Sequence, residues 1–279
     1  MTTSTLPSRP AATPYRAVPQ PDTIGFGNVL KSEWTKLRTV RSTFWTTAVA
    51  VLATGILGVV VCLQTLHDIK NGNQNVADLD SVMTALTGFF LVQVTAGALG
   101  VMTISSEYGT GMIRATLGAV PQRRAMLAAK GLVFAACTFV ISEILSFSAV
   151  LVGQAILHSQ HAGVSLWDGP TLRATFGGGL YITAIGLLGF GLGALIRHTA
   201  GALSAFFGIV FASTPIVDLL PTSWRNHVIE YMPINAGSQI LSTHTDHQSL
   251  TPWHGFAVLC IYPLVAITAA AILIKRRDA

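Results

Sequence analysis

Glu143 stands where a carboxylate is costly, in the middle of the apolar run GLVFAACTFVISEILSFSAVL. An ionisable side chain at membrane depth is a functional candidate by default. Two roles suit it. It can be a polar point in a substrate path or at a seam between subunits. It can also bond to a neighbouring helix, with Ser142, Ser146 and Gln93 as partners by type. The histidines offer a second chemistry. HSQH and HTDH place His158 with His161 and His244 with His247, a spacing that on a helix could hold zinc or copper. Nothing in the sequence makes either segment helical, so both read as polar loop and no metal ligand is assigned. Glu107 and Arg114 form a third constellation, since a continuous helix would bring residues seven apart to one face. Other chemistries are excluded by pattern. No GxxxxGK[ST] phosphate loop occurs, so the chain should not hydrolyse ATP itself, and neither a Gly-x-Ser-x-Gly elbow nor HExxH is present. No catalytic residue is assigned, and the chain does not read as an enzyme.

The elements that position these residues are membrane helices. Charged residues make up 10% of the chain and mean hydropathy is +0.57, whereas a soluble domain carries about 25% charged residues. About 20 apolar residues cross a bilayer core as a helix. Six runs qualify: Thr43–Leu66, Val82–Ile104, Gly131–Leu157, Phe176–Ile196, Ala202–Leu220 and Phe256–Ile274. The fold class is therefore an all-α membrane protein with six spans. Gly189 and Gly193 form a GxxxG within the glycine-rich fourth span, a pattern that lets helices approach closely.

Of the 17 lysines and arginines, only Lys70, Arg173 and Arg225 fall on one side of this arrangement. The positive-inside rule then puts both termini and the loop after the second span in the cytosol, in a plasma membrane. The pI of about 9.4 follows from the same asymmetry and calls for lipid rather than nucleic acid as partner. Residues 1–24 are rich in Pro and Thr without an apolar core, and read as a disordered cytosolic tail and not a cleaved signal peptide. The remaining chain, 25–279, reads as one transmembrane domain. Cys62, Cys137 and Cys260 lie in or near apolar runs as small filler, with no disulfide framework.

Two flanking segments carry more specific information. In FGNVLKSEWTKLRTVRSTF, the residues Phe26, Leu30, Trp34, Leu37, Val40 and Phe44 recur by three or four, and Lys31, Lys36, Arg38 and Arg41 take the other faces. That pattern predicts a helix in the headgroup plane with Trp34 at the interface. The stretch EYGTGMIRATLGAVPQRRAMLAAKG, Glu107 to Gly131, is a long basic loop between spans. Thr110 can cap a short helix, Ile113, Leu117 and Val120 share its face, and Pro121 ends it. Beyond the fifth span, Trp224–Met232 permits a short amphipathic helix.

Together these segments resemble ABC-2-type transporter permeases. The Glu107–Gly131 pattern is similar to that family's first cytoplasmic loop, in which a coupling helix meets a separate ATPase subunit. SEWTKLRTVRSTFW looks like the opening of actinobacterial members, with their connecting helix, and YMPINAGSQI resembles part of the re-entrant element before the last span. The resemblance implies an ABC-2 permease fold with an N-terminal amphipathic connecting helix and a cytosolic coupling helix. It implies ATPase contact through Glu107, Tyr108, Gly109, Thr110, Gly111, Arg114, Arg123 and Arg124. It also implies a second permease subunit, identical or paralogous, and ATP and Mg on the partner ATPase rather than any cofactor on this chain. The function expected is export of a lipophilic or amphipathic molecule, such as a drug, antibiotic or lipid. Two other readings stay open: an ion- or proton-coupled secondary transporter using Glu143, and a non-transporting immunity or sensor protein.

Overall fold

The stripe of residues before the first span does form a helix. In a computed structural model, which describes residues 25–39, 41–76, 79–109, 123–160, 162–244 and 250–276, α1 runs Phe26–Thr39 and leads into α2, Arg41–Lys70. Val29 and Glu33, one turn apart, face the bundle and are buried, while Phe26 and Trp34 remain exposed. A helix lying in the headgroup plane keeps its aromatic side toward lipid in this way.

Asp80 caps the second span by accepting from Met83 N at 3.0 Å. This span is built from α3 (Ser81–Ala85), a tight turn over Leu86–Gly88, and α4 (Phe89–Gly109). The third span is α5, Arg123–Leu157. The fourth, α6, is Gly169–Ile196, with Pro170 in the first turn, where a missing N–H costs nothing. It ends at Arg197, which takes a left-handed φ of 61° and bonds back to Gly193 O at 3.0 Å. His198 Nδ1 then accepts from Gly201 N at 3.2 Å and opens α7, Thr199–Phe207. A widened turn over Gly208–Ala212 separates α7 from α8, Ser213–Asp218. Pro215 explains the widening: it lacks an N–H and its ring crowds the carbonyl four residues back, at Phe211. After it come α9 (Thr222–Val228), α10 (Pro233–Ser238) and α11 (Pro252–Arg276).

Among the described residues, six helical stretches are long and apolar enough to cross a membrane: Phe44–Lys70, Ser81–Gly109, Arg124–Leu157, Gly169–Ile196, Thr199–Asp218 and Pro252–Ile274. No strand occurs among the described residues. The all-α, six-span fold expected from the sequence is therefore present. The third and fourth spans begin earlier than expected, at Arg124 and Gly169 rather than Gly131 and Phe176. Their first turns contain Lys130 and Arg173, whose charge hides a span from a hydropathy reading. Lys130 is ion-paired, and Arg173 Nη2 donates to Ser242 O at 2.6 Å.

The fourth span is the most enclosed, with 72% of its apolar window buried against 17% for the first. Its glycines make this possible. A Cβ on Gly189 would lie 2.1 Å from Gly97 O, and one on Gly100 of α4 would lie 2.2 Å from Gly186 O. α4 and α6 thus pack backbone to backbone, as small-residue faces allow. Between α8 and α11 the chain dips back into the bundle. Ala236 and Ile240 are fully buried, and Ile240 packs at Gly177, eight residues and therefore about 12 Å along α6. The expected re-entrant element is this one. The amphipathic helix expected over Trp224–Met232 is shorter than read, and a tight turn over Ile229–Tyr231 replaces its end.

Candidate functional site

The loop after the second span leaves the bundle from the last turn of α4 and returns at the start of α5. Residues 110–122, including Thr110, Gly111, Arg114 and Pro121, lie outside the described residues, as does the N-terminal segment 1–24. Both anchor points of the loop are described, and both are held by one buried ionic cluster.

Four side chains make the cluster. Lys130 Nζ on α5 lies 2.5 Å from Glu33 Oε2 and 2.8 Å from Glu107 Oε1. Lys36 Nζ lies 2.8 Å from Glu33 Oε1 and 3.4 Å from Glu107 Oε1. Glu33 and Lys36 sit one turn apart on α1, so both reach the same point. Glu33, Glu107 and Lys130 are almost wholly buried, whereas 40% of the Lys36 side chain is exposed. Two carboxylates and two ammoniums balance, which is what lets these charges leave water. Burial alone would raise the Glu33 carboxyl, but the hydrogen bonds and charges of Lys130 and Lys36 outweigh it and leave it below the ordinary range. Burial would likewise lower Lys36, and Glu33 and Glu107 outweigh it and hold the ammonium above its usual value.

Neighbouring contacts stiffen the same end. Thr199 Oγ1 donates to Ser105 Oγ at 3.0 Å, joining α7 to α4. The Arg197 guanidinium lies 5.1 Å from the centre of the Tyr108 ring. Arg124 Nε donates to Ala271 O on α11 at 3.4 Å and stays exposed. Gly109 is open, with nothing near a would-be Cβ. Arg123 is the first residue of α5; its side chain and those of Arg38 and Arg41 lie outside the described residues.

The structure sorts the expected coupling residues. Tyr108, Gly109 and Arg124 lie at the surface end of the loop. Glu107 is buried and points into the ionic cluster. Glu33 and Lys130 were not singled out as site residues. One signal was available: Glu33 is the only acid on a basic helix and precedes Lys36 by three, and Lys130 is the basic residue placed deepest toward the third apolar run.

Glu143 lies far from this cluster, buried against α6. A Cβ on Gly179 would fall 2.4 Å from its carboxyl carbon, so the carboxyl occupies the notch that this glycine leaves. Neither carboxyl oxygen has a hydrogen-bond partner among the described residues. Two of the three expected partners are used elsewhere: Ser146 Oγ donates to Thr175 O at 2.6 Å, and Gln93 Oε1 accepts from the Tyr181 hydroxyl. Among the described residues Glu143 therefore meets α6 by packing at Gly179 and not by a hydrogen bond.

At the opposite end of the bundle Asp80 is the organising charge. Besides capping α3, its Oδ2 accepts from Thr243 N at 2.6 Å and Ser242 Oγ at 3.1 Å. Burial pushes this carboxyl up, and the bonds from Met83 and Thr243 pull it below its ordinary value. The histidine pairs are split, because His161 and His247 lie outside the described residues. Among the described residues no three His, Cys, Asp or Glu converge on a metal-sized site.

No curated protein matches this sequence. A family does. Six spans, an amphipathic helix locked to both roots of the loop between the second and third spans, and a re-entrant turn before the last agree with what that match identifies. The family described as ABC-2 family transporter protein matches residues 27–279, nearly the whole chain, and the chain belongs to it.

Proposed function

We propose that this chain is the permease subunit of an ATP-driven exporter. Membership of the family implies a separate ABC ATPase as partner. In this reading two permease subunits, identical or paralogous, form the pathway at their seam. The ATPases, which hold ATP and Mg, dock on the loop from Glu107 to Arg124. Both termini and that loop face the cytosol of a plasma membrane, as the lysine and arginine asymmetry supports. The observation that carries the proposal is the Glu33–Lys36–Glu107–Lys130 cluster. It fastens both roots of the loop and the connecting helix into one unit, so a push on the loop is passed to α1, α4 and α5 together. The backbone-close packing of α4 on α6 then carries the displacement into the bundle, a rigid-body route to alternating access. The apolar spans favour a lipophilic or amphipathic substrate.

The test is charge reversal at Arg114, in the loop but away from its roots. Arg114→Glu should leave the protein in the membrane and its ATPase partner bound or nearly so, while ATP hydrolysis no longer drives transport. Full transport at normal expression would refute the docking role.

The unpartnered carboxyl of Glu143 favours one second reading, an ion- or proton-coupled transporter. Glu143→Gln separates the two. ATP-driven export survives this substitution with little change, because shape is kept and no bond is lost. Proton-coupled transport by a route through Glu143 is abolished by it.

A further inference from the structure

A groove of about 470 Å³ opens between α1, α2, α4 and α5, a volume within the usual range of ligand pockets of about 300–1,000 Å³. It is separate from Glu143, which packs against α6 and does not border it. Trp34 and Phe44 stand at its mouth, and small side chains such as Ala48 and Ala96 leave the space open. Two of its four threonines are turned to their own helix: Thr95 Oγ1 and Thr103 Oγ1 donate to Leu91 O and Leu99 O, at 3.0 and 2.7 Å.

Two properties say what fills it. The first is length. On α4 the wall runs from Thr103 to Val92, eleven residues and about 16 Å, close to half of a hydrocarbon core about 30 Å thick. The groove thus has the depth of one leaflet, starting at the interfacial helix. The second is charge. Lys31, one turn before Trp34 on α1, is exposed. The one acid of α1, Glu33, is turned inward to Lys130. The face beside the mouth is therefore cationic, and basic residues next to a membrane attract anionic lipid.

We propose that this groove binds one acyl chain of an anionic phospholipid from the leaflet in which α1 lies, with the headgroup held at Lys31 of α1. Such a lipid wedges α1 against α2, α4 and α5 beside the ionic cluster, and so bears on the unit that receives the loop's motion. The proposal requires only that the chain spans a membrane and does not depend on the transport reading.

Fluorescence of Trp34 tests it. In a protein whose Trp45, Trp167, Trp224 and Trp253 are replaced by Phe, Trp34 is the sole emitter. It is reconstituted in phosphatidylcholine vesicles carrying equal small fractions of either brominated phosphatidylglycerol or brominated phosphatidylcholine. We expect quenching several-fold stronger with the brominated phosphatidylglycerol. Lys31→Glu should bring the two lipids toward parity. Ala48→Phe, at a partly exposed position that tolerates bulk, should weaken quenching by both. Equal quenching by both lipids in the parent protein would overturn the proposal. So would quenching that appears only after residues 1–24 are removed, or only on dilution that separates two copies, since the groove would then belong to that segment or to a second subunit.

Discussion

Lys130 holds two carboxylates at once, Glu33 and Glu107, in a place that water does not reach. Lys130→Met leaves two buried acids facing the single, partly exposed Lys36, and removing one member of a buried ionic set costs about 3–5 kcal/mol. Thermal unfolding in detergent should show this loss. Combining it with Glu107→Gln should recover most of the stability, because Lys36 and Glu33 then balance at 2.8 Å, while ATP-coupled transport stays impaired. Recovery of both would mean that the cluster serves stability alone. Glu143 invites a different pair. Gly179→Ala drives a methyl into the carboxyl, and overpacking of this kind costs about 1–3 kcal/mol. Glu143→Ala in the same protein should relieve most of it, which a double-mutant cycle on melting temperature measures. The depth of Glu143 was legible from the apolar run around it. Its surroundings were not, because they depend on which glycine of another helix it meets. Glu33 was hidden for a related reason: on a helix read as a basic stripe, its inward direction is set only when α1 docks.

The glycines of the fourth span announced close packing without saying which helix would approach. α4 is that helix, since Gly97 and Gly100 return the contact. The break in the fifth span follows from Pro215 and was missed, because an apolar run stays apolar through a widened turn. At the far end, Asp80 joins α3 to the strand of chain after α10. Its carboxyl is held below the ordinary value near 3.8. A depressed acid contributes stability that is complete above that ordinary value and is lost as pH falls through the lowered one. Melting temperature should therefore drop below about pH 4, and Asp80→Asn should start lower at neutral pH and show less of this acid loss. An unchanged acid slope in the Asn protein would assign the loss to other carboxylates. The re-entrant turn itself was legible only by its resemblance to a known element. Nothing in YMPINAGSQI marks a return into the bundle except its small residues, and Gly237 acquires that meaning beside Tyr181 and Leu259.

Across the whole molecule, the span count was readable because hydrocarbon thickness sets helix length. The starts of the third and fourth spans were obscured by Lys130 and Arg173, whose partners come from distant parts of the chain. Those partners tie the two ends of the bundle differently: ion pairs bind the α1 end, and hydrogen bonds to Asp80 and from Arg173 bind the other. The fourth span, α6, lies between them as the common wall. That enclosure bears on how the chain is made. α6 is joined to α7 by the two-residue turn at Arg197 and His198, too short to let one helix enter a membrane without the other nearby. Yet α6 also packs on α11, where Gly191 meets Ala266 and Ile267, and α11 is synthesised last. During biosynthesis the Gly191 side of α6 must wait in lipid until the final span arrives. A protein stopped before Pro252 should insert five spans and then be degraded rapidly, and supplying Pro252–Arg276 as a separate membrane peptide should lengthen its half-life in a pulse-chase experiment. Equal half-lives with and without the peptide would show that α6 finds its cover elsewhere.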